Sequence, residues 1–438
     1  MARRGYHPRF PPRTCTSPGG RIRFSPFRAW RPRPDLVDRV VAPPYDVVNR
    51  AEAAALAAGN PLSFLHVGRS DIDLPPDTDP HDDRIYAKAK ENLDLVLGNG
   101  TFIHDDAPAF YLYELTREGK SQVGVVGRVH VDDYEADLIK KHEKTRPDKE
   151  DDRTRHVLTL AAHAEPVFLT HRPEASLAAL NATTMAQEPL YDLVTYDGVR
   201  QRVWRVSATD AYAAAFAAMP DCYVADGHHR CASAWRTGKA LRAANPHHTG
   251  DEDYNWFLAV LFPSDQLHIL SYNRVVKDLH GLTPAAFLSR LAAVGTLTPT
   301  TTPVPDAAGT FGIYVDGSWH RLRLDSASVA ADDPIGSLDA SLLHERVLAP
   351  ILGIGDVRID QRIDFVGGIR GTAELERRVD SGQDAVAFAM YPVSVAQLMA
   401  IADAGAIMPP KSTWFEPKLK SGFFVHTFDP MTPGGATQ

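Results

Sequence analysis

The sequence predicts a mixed α/β (α+β) protein with several domains. Its 438 residues are about three times the length of a typical domain of roughly 150 residues. Hydrophobic residues make up 44% of the chain and charged residues 23%, which is typical of globular proteins with a buried core. Segments that alternate like strands are interspersed with segments of helical periodicity. These features exclude collagen-like, coiled-coil and wholly disordered proteins.

Elements of both kinds are predicted in the first half of the chain. An extended segment at 40–42 ends at the turn formed by Pro43 and Pro44. Helices are predicted at 51–58, 83–98, 135–143 and 150–162, and strands at 109–115 and 124–131. Between the last two helices lies the charged stretch 144–149, where Pro147 is expected to interrupt the helical pattern.

A strand, a glycine and a helix follow one another near residues 222–244. The apolar run 222–225 predicts the strand, Gly227 the turn, and the alanine-rich stretch before Asn245-Pro246 the helix. Other predicted helices lie at 207–218, 284–294, 339–350, 372–381 and 394–404, and other predicted strands at 256–262 and 385–390.

Composition divides the chain into five predicted segments. Residues 1–21 are rich in arginine and proline and are expected to be a disordered basic extension. The Thr/Pro-rich run 296–308 is the predicted linker. The predicted domains are an N-terminal α/β domain at 22–205, a phosphate-binding region at 206–295 and a C-terminal α/β domain at 309–438.

Charge and composition also limit the partners. The net charge is −8 although residues 1–34 contain nine arginines and no acidic residue, so the rest of the chain is strongly acidic, which disfavours nucleic acid as a partner. Three cysteines without metal-ligand spacing and the lack of an apolar signal or membrane span predict a cytoplasmic protein. A small-molecule substrate is the remaining expectation.

The segment Asp226-Gly227-His228-His229-Arg230 is predicted to bind phosphate. A helix that begins after a glycine offers free backbone N–H groups to an anion, and Arg230 adds a planar fork of donors. Asp226 is predicted either to bind Mg²⁺ or to orient a hydroxyl nucleophile, and the two histidines to contact phosphate oxygens. The alternative is a strand-to-helix turn that Asp226 caps.

This segment resembles the Gly-x-x-Arg box of the ParB/sulfiredoxin superfamily, and Asp226-Gly227-His228 resembles the start of that box in free-serine kinases. The resemblance implies a nucleotide phosphate at Gly227 and Arg230. From about Ile22 to Phe424 the chain also resembles the family called domain of unknown function 1015. The matching pieces are 42–48, 60–61, 142–145 with 152–153, 226–230 and 408–413.

Two further polar segments are predicted to reach the same site. His142 and Glu143 are candidate catalytic residues, with Glu143 also a candidate Mg²⁺ ligand, and Lys149 and Arg153 are candidate phosphate ligands. Residues 142–146 lack the second histidine of the H-E-x-x-H zinc-protease motif, because position 146 is arginine, so this class of protease is excluded. The alternative for this segment is a solvated pair of charged helices.

Single positions on two proline-stiffened turns complete the predicted site. Tyr45 and Asp46 follow Pro43-Pro44 and are expected to orient the small-molecule substrate, although Asp46 could equally cap the turn. Lys411 follows Pro409-Pro410 and is expected to contact phosphate.

The predicted activity is a phosphotransferase that uses Mg²⁺ and a nucleotide or polyphosphate donor, namely ATP, ADP or pyrophosphate, and an alcohol acceptor. Asp226 or Glu143 would take the hydroxyl proton. A free, serine-like amino acid as acceptor is implied by the superfamily resemblance alone. The alternatives are a nucleotide-gated regulatory protein of the ParB type and a metal-dependent phosphohydrolase. The donor, acceptor, metal and oligomeric state stay open.

Overall fold

A computed structural model describes residues 20–325 and 333–429 of the chain. The predicted basic extension at 1–21 falls almost wholly outside the described residues. The mixed α/β class is confirmed. The described α-helices of five or more residues are Arg50–Ala57, Asp83–Gly98, Val131–Glu135, Pro147–Leu160, Ala175–Met185, Thr209–Ala217, His228–Ala244, Pro284–Ala292, Asp339–Leu343, Gly371–Asp380 and Val395–Asp403, and the π-helix His344–Leu348 continues the helix Asp339–Leu343.

Nine strands of the described chain form one mixed sheet. Their spatial order is Ile139–Lys140, Cys222–Asp226, Val167–His171, Trp256–Pro263, Lys120–His130, Tyr111–Arg117, Arg200–Arg205 and Tyr191–Val194, with Phe24–Ser25 also paired to Lys120–His130. Two of these pairs are parallel, Ile139–Lys140 with Cys222–Asp226 and Val167–His171 with Trp256–Pro263. The other pairs are antiparallel.

Each face of this sheet packs against its own hydrophobic core. Tyr111 and Tyr113 belong to one cluster of buried residues, whereas Phe110 and Leu112 belong to the other. Successive side chains of a strand point to opposite faces, so a strand buried on both sides is apolar at nearly every position. Burial of each large apolar side chain contributes about 1.5–3 kcal/mol.

A second sheet of six strands follows in the described chain. Its spatial order is Gly295–Pro299, Ser318–Leu324, Thr310–Val315, Val386–Ala389, Tyr272–Val276 and Ile363–Gly367. The first residues of the predicted linker at 296–308 form part of a strand, because Gly295–Pro299 is the edge strand of this sheet. The predicted region 206–295 contributes strands to both sheets, Cys222–Asp226 and Trp256–Pro263 to the first and Tyr272–Val276 to the second.

The chain returns to the first sheet after the second is complete. Leu398 and Met399 of the helix Val395–Asp403, and Phe423 and Phe424 beyond it, pack in the same core as Tyr113. The predicted C-terminal domain at 309–438 thus contributes its last part to the first sheet. This return brings Lys411 towards the end of the strand Cys222–Asp226.

The predicted helix at 135–143 is wrong. The chain forms the short helix Val131–Glu135, turns at Asp137 with a φ of 60°, and continues as the strand Ile139–Lys140. Pairing of this strand with Cys222–Asp226 outweighs the local helical pattern. The next helix begins at Pro147, so this proline starts the helix rather than interrupting the helical pattern as predicted, because a proline in the first turn needs no N–H donor.

Among the described residues, no helix has both the length and the apolar composition that crossing a membrane would require.

Asp339 is expected to make the free energy of unfolding pH-dependent. Burial raises the pKa of this carboxyl to about 6, against smaller opposite effects of the Gly309 N–H, which donates to Oδ1 at 2.8 Å, and of Arg274. Between about pH 4, the unfolded value, and pH 6 the native state holds the extra proton. The free energy of unfolding therefore falls as pH rises through this window, by roughly 1–3 kcal/mol.

Asp339→Asn should remove this dependence. The free energy of unfolding of the variant should therefore exceed that of the wild type by a larger amount at pH 7 than at pH 4. Urea unfolding at both pH values measures the difference. An equal difference at the two pH values would show that Asp339 does not titrate in this window.

Candidate functional site

Two parallel strands bring distant polar residues to one edge of the nine-stranded sheet. Ile139–Lys140 pairs in parallel with Cys222–Asp226, with Ile139 opposite Cys222. Continuing this register places Glu143 level with Asp226. Because the carboxyl ends of adjacent parallel strands meet at the same edge, the two predicted segments converge there.

Gly227 turns the chain sharply from the strand into the helix His228–Ala244. Its φ of 97° lies in the left-handed region, and an added Cβ would approach within 3.0 Å of Arg230 Nε. A larger residue would be strained in this conformation and would crowd Arg230. No side chain among the described residues caps the helix, so its first backbone N–H groups remain open to an anion.

The Asp226 carboxylate is held between two cations. Arg230 donates to Asp226 Oδ2 at 3.0 Å, and Lys418 Nζ lies 3.5 Å from the same oxygen. Burial alone would raise the pKa of Asp226, but Lys418, Arg230 and His228 together lower it to about 2. Asp226 is therefore a fixed, ionised carboxylate.

Arg230 faces the protein interior more than the cleft. Its side chain is 9% exposed and donates to the Pro166 backbone carbonyl as well as to Asp226. Asp46 Oδ2 lies 3.9 Å from its guanidinium, and Nε has no partner among the described residues. The geometry therefore favours a positioning role for Arg230, which holds Asp226, rather than the predicted role of direct phosphate ligand.

The two adjacent histidines face the 142–146 segment. The Arg146 backbone N–H donates to His229 Nε2 at 3.2 Å, and the His142 backbone N–H makes a long contact of 3.5 Å with His228 Nε2. Burial lowers the pKa of both His228 and His229. These neutral rings hold the 142–146 segment in place. The sequence prediction, that both histidines contact phosphate oxygens, did not include this role.

His142, Glu143 and His228 form a compact cluster. Their nearest ligand atoms all lie within 4.8 Å of one another. Burial lowers the pKa of His142 to about 4 and raises that of Glu143 above its usual value, with Lys411 opposing the latter change. Asp226, the other predicted metal ligand, is not a member of this cluster.

Lys411 places a cation in the cleft at a cost in backbone strain. It has a φ of 56°, a conformation that costs a non-glycine residue about 1 kcal/mol. Burial would lower the pKa of Lys411, but Tyr272, Glu143 and Asp46 raise it, so the ammonium stays charged. Its Nζ lies 5.6 Å from the Tyr272 ring centroid, and no described carboxylate lies within salt-bridge distance.

Glu143, Asp226, His228 and Lys411 line one cleft of about 540 Å³, including the part open to solvent, whereas His142, His229 and Arg230 do not line it. The lining residues are Asp46, Val47, Glu143, Ala225, Asp226, His228, Tyr272, Lys411, Thr413, Trp414 and Lys418.

The remaining predicted residues lie beside or away from this cleft. Arg153 stacks on Tyr45, with its guanidinium 4.2 Å from the ring centroid, and donates to Asp152 at 2.8 Å. Lys149 is exposed on the helix Pro147–Leu160 and does not line the cleft.

The sequence interpretation missed Lys418 and Tyr272, although both line the cleft. Tyr272 begins a strand of the second sheet, and Lys418 lies 192 positions after Asp226, with which it pairs. Neither residue lies in a recognisable motif, and only the folded structure brings them to the cleft.

A family model described as "Protein of unknown function (DUF1015)" matches residues 24–341. No curated protein matches the chain. Among solved structures, a conserved hypothetical protein from Pyrococcus furiosus shares 13% identity at a TM-score of 0.33, covering 68% of this chain and 93% of its own. A free serine kinase in complex with AMP shares 12% identity at a TM-score of 0.35, covering 69% of this chain and 91% of its own. SbnI with a C-terminal truncation, from Staphylococcus aureus, shares 14% identity at a TM-score of 0.36, covering 68% of this chain and 85% of its own.

Proposed function

The chain belongs to the DUF1015 family, and from the geometry of its cleft we propose that it is a small-molecule phosphotransferase. The donor is a nucleotide or polyphosphate and the acceptor is an alcohol group; a free, serine-like amino acid as acceptor rests on the resemblance of Asp226-Gly227-His228 to free-serine kinases. The observation that carries the proposal is Lys411, a charged lysine in a strained conformation that forms no salt bridge with any described carboxylate and lines the same cleft as the ionised Asp226.

Three features of the cleft suit a polyphosphate. Lys411 supplies an ammonium that no described carboxylate neutralises, and Lys418 supplies a second beside Asp226. The uncapped start of the helix His228–Ala244 adds backbone N–H donors and a partial positive charge. Strain that persists at an unpaired cation is typical of functional sites, because selection for stability alone would favour glycine there.

Asp226 is suited to the acceptor hydroxyl. Phosphoryl transfer requires little covalent chemistry from the protein, so a carboxylate that orients the nucleophile and accepts its proton is sufficient. Arg230 and Lys418 hold the Asp226 carboxylate in one place, and that fixed position is the requirement for orientation. The exposed Asp46 beside it could bind the amino group of the acceptor.

The predicted Mg²⁺ pair, Asp226 and Glu143, does not fit the residues present. Asp226 is already paired with two cations, which compete with a metal ion for its oxygens. Mg²⁺ is often bound largely through substrate phosphates and one or two carboxylates. It would therefore enter this cleft with the donor, and no step here is assigned to it.

Binding of a phosphate donor should depend strongly on Lys411. In the presence of Mg²⁺, one of ATP, ADP or pyrophosphate should raise the melting temperature of the wild-type protein. Lys411→Met should weaken that ligand about 10–100-fold, because a hydrogen bond to a charged group contributes about 1.5–3 kcal/mol. Calorimetric titration of both proteins measures the change.

Lys239→Met is the matched control, because Lys239 carries the same charge on the helix His228–Ala244 but pairs with Glu135 at the surface. It should bind the donor like the wild type. If no donor shifts the melting temperature, the phosphate cleft is wrong. Binding followed by phosphate release without an acceptor indicates a hydrolase, and binding without turnover indicates a regulatory protein.

A further inference from the structure

Three side chains with metal-binding atoms meet at the wall of the cleft. His228 Nδ1 and Glu143 Oε2 are 3.8 Å apart, which is too far for a hydrogen bond between them. A ligand atom of His142 completes the group, with all three atoms within 4.8 Å of one another. Two ligands of one tetrahedral ion, at bonds of about 2.1 Å, are separated by roughly 3.4 Å. A small closing movement would therefore place all three on one ion.

The imidazoles are buried without the partners that buried polar groups normally have. His142 is 2% exposed and His228 5% exposed. Neither ring nitrogen of His142 makes a hydrogen bond of good geometry within the described chain, although the ring lies beside the Val224 backbone. The contact of His228 Nε2 with the His142 backbone is long, at 3.5 Å. Buried polar atoms of this kind require a partner from outside the described chain or a functional role, and a bound ion is one such partner.

The surrounding contacts already fix the geometry of the cluster. The His142 and His228 rings pack edge to face, with centroids 4.4 Å apart and planes at 88°. The Met408 backbone N–H donates to the His142 carbonyl at 2.8 Å, and this bond holds the loop in place. The ligands need little rearrangement before binding.

From this geometry we infer that His142, Glu143 and His228 form a binding site for a divalent transition-metal ion such as Zn²⁺. Two imidazoles and one carboxylate are donors that zinc, cobalt, manganese and ferrous iron accept. Magnesium prefers oxygen ligands and an octahedral shell, so this donor set selects against it. Three protein ligands leave at least one position open.

The open position faces the cleft, since Glu143 and His228 both line it. There the ion would contact an oxygen of the phosphate donor. This role rests on the proposed function, whereas metal binding itself does not. The test therefore uses the metal alone, without nucleotide or acceptor.

The full-length protein is stripped with a chelator, incubated with Zn²⁺ in excess Mg²⁺, separated from free metal and analysed for zinc content. We expect one equivalent of zinc per chain, and an absorption spectrum of four- or five-coordinate cobalt when Co²⁺ replaces Zn²⁺. His142→Ala, His228→Ala and Glu143→Gln should each weaken Zn²⁺ binding by at least about tenfold, since loss of outer-shell partners alone costs 10–100-fold.

His171→Asn is the matched control, because His171 is also buried but its Nδ1 bonds to the Arg172 carbonyl. It should retain a full equivalent of zinc. Circular dichroism establishes which variants are folded. Because Glu143 is the most exposed of the three ligands, Glu143→Gln still tests the site if the histidine variants unfold. Absence of bound zinc in the wild type, or wild-type affinity in any folded ligand variant, would overturn the site.

Discussion

Asp226→Asn is expected to reduce the rate of phosphoryl transfer by about 10²–10⁴-fold and to leave the donor bound. An asparagine keeps the shape of the side chain but loses the charge with which Asp226 orients the acceptor hydroxyl and accepts its proton, and loss of such a positioned group typically costs a factor of this size. Lys411 and the helix N-terminus, which are proposed to bind the phosphates, are unchanged. Steady-state rates and calorimetric titration of the donor measure the two effects separately.

Asp221→Asn is the matched control for this substitution. Asp221 precedes the same strand, at the end away from the cleft, and pairs with Lys140 at 2.8 Å. The same change of charge there should leave both rate and donor affinity unaltered. A near wild-type transfer rate in Asp226→Asn, with an intact thermal melt, would exclude Asp226 as the acceptor-orienting residue and would return that role to Glu143.

The strand-glycine-helix unit could be predicted because its signals are local. An apolar run followed by Gly227 and an alanine-rich stretch that ends before Asn245-Pro246 specifies a strand, a turn and a helix. The structure has the strand Cys222–Asp226, the glycine at a φ of 97° and a helix that ends at Ala244. The mixed α/β class follows from the same kind of local evidence.

The errors arise where contacts distant in sequence decide the outcome. Residues 139–140 form a strand only because Cys222–Asp226, more than 80 positions later, lies beside them. The edge strand Gly295–Pro299 is polar, since one long side of an edge strand is unpaired, and its composition therefore resembles a linker. Neither feature can be recognised from a short window of sequence.

The candidate site shows the same division. The chemistry of Glu143, Asp226 and Lys411 suggests that these residues share one cleft, but only the fold brings them together. Burial of a charged side chain also depends on the fold rather than on a local motif. The motif predicts that Arg230 contacts phosphate, whereas in the structure its donors are directed to Asp226 and Pro166.

Arg230→Met is expected to lower the free energy of unfolding by about 3 kcal/mol, because removal of one partner leaves a buried charge uncompensated. Arg230 is 9% exposed and is the nearest cation to Asp226, so its loss leaves that carboxylate with Lys418 alone. Urea unfolding measures the change. Arg236→Met is the matched control on the same helix, because Arg236 is 34% exposed and its ion pairs should contribute less than about 1 kcal/mol.

Arg230→Lys separates the positioning role from direct phosphate binding. Lysine keeps the positive charge beside Asp226 but cannot donate to both Asp226 and the Pro166 carbonyl in the geometry of a guanidinium. If Arg230 only positions Asp226, the lysine variant should lose stability and transfer rate while donor affinity stays within about twofold of the wild type. A loss of donor affinity of tenfold or more, with an unchanged unfolding curve, would instead place the Arg230 guanidinium on the phosphate.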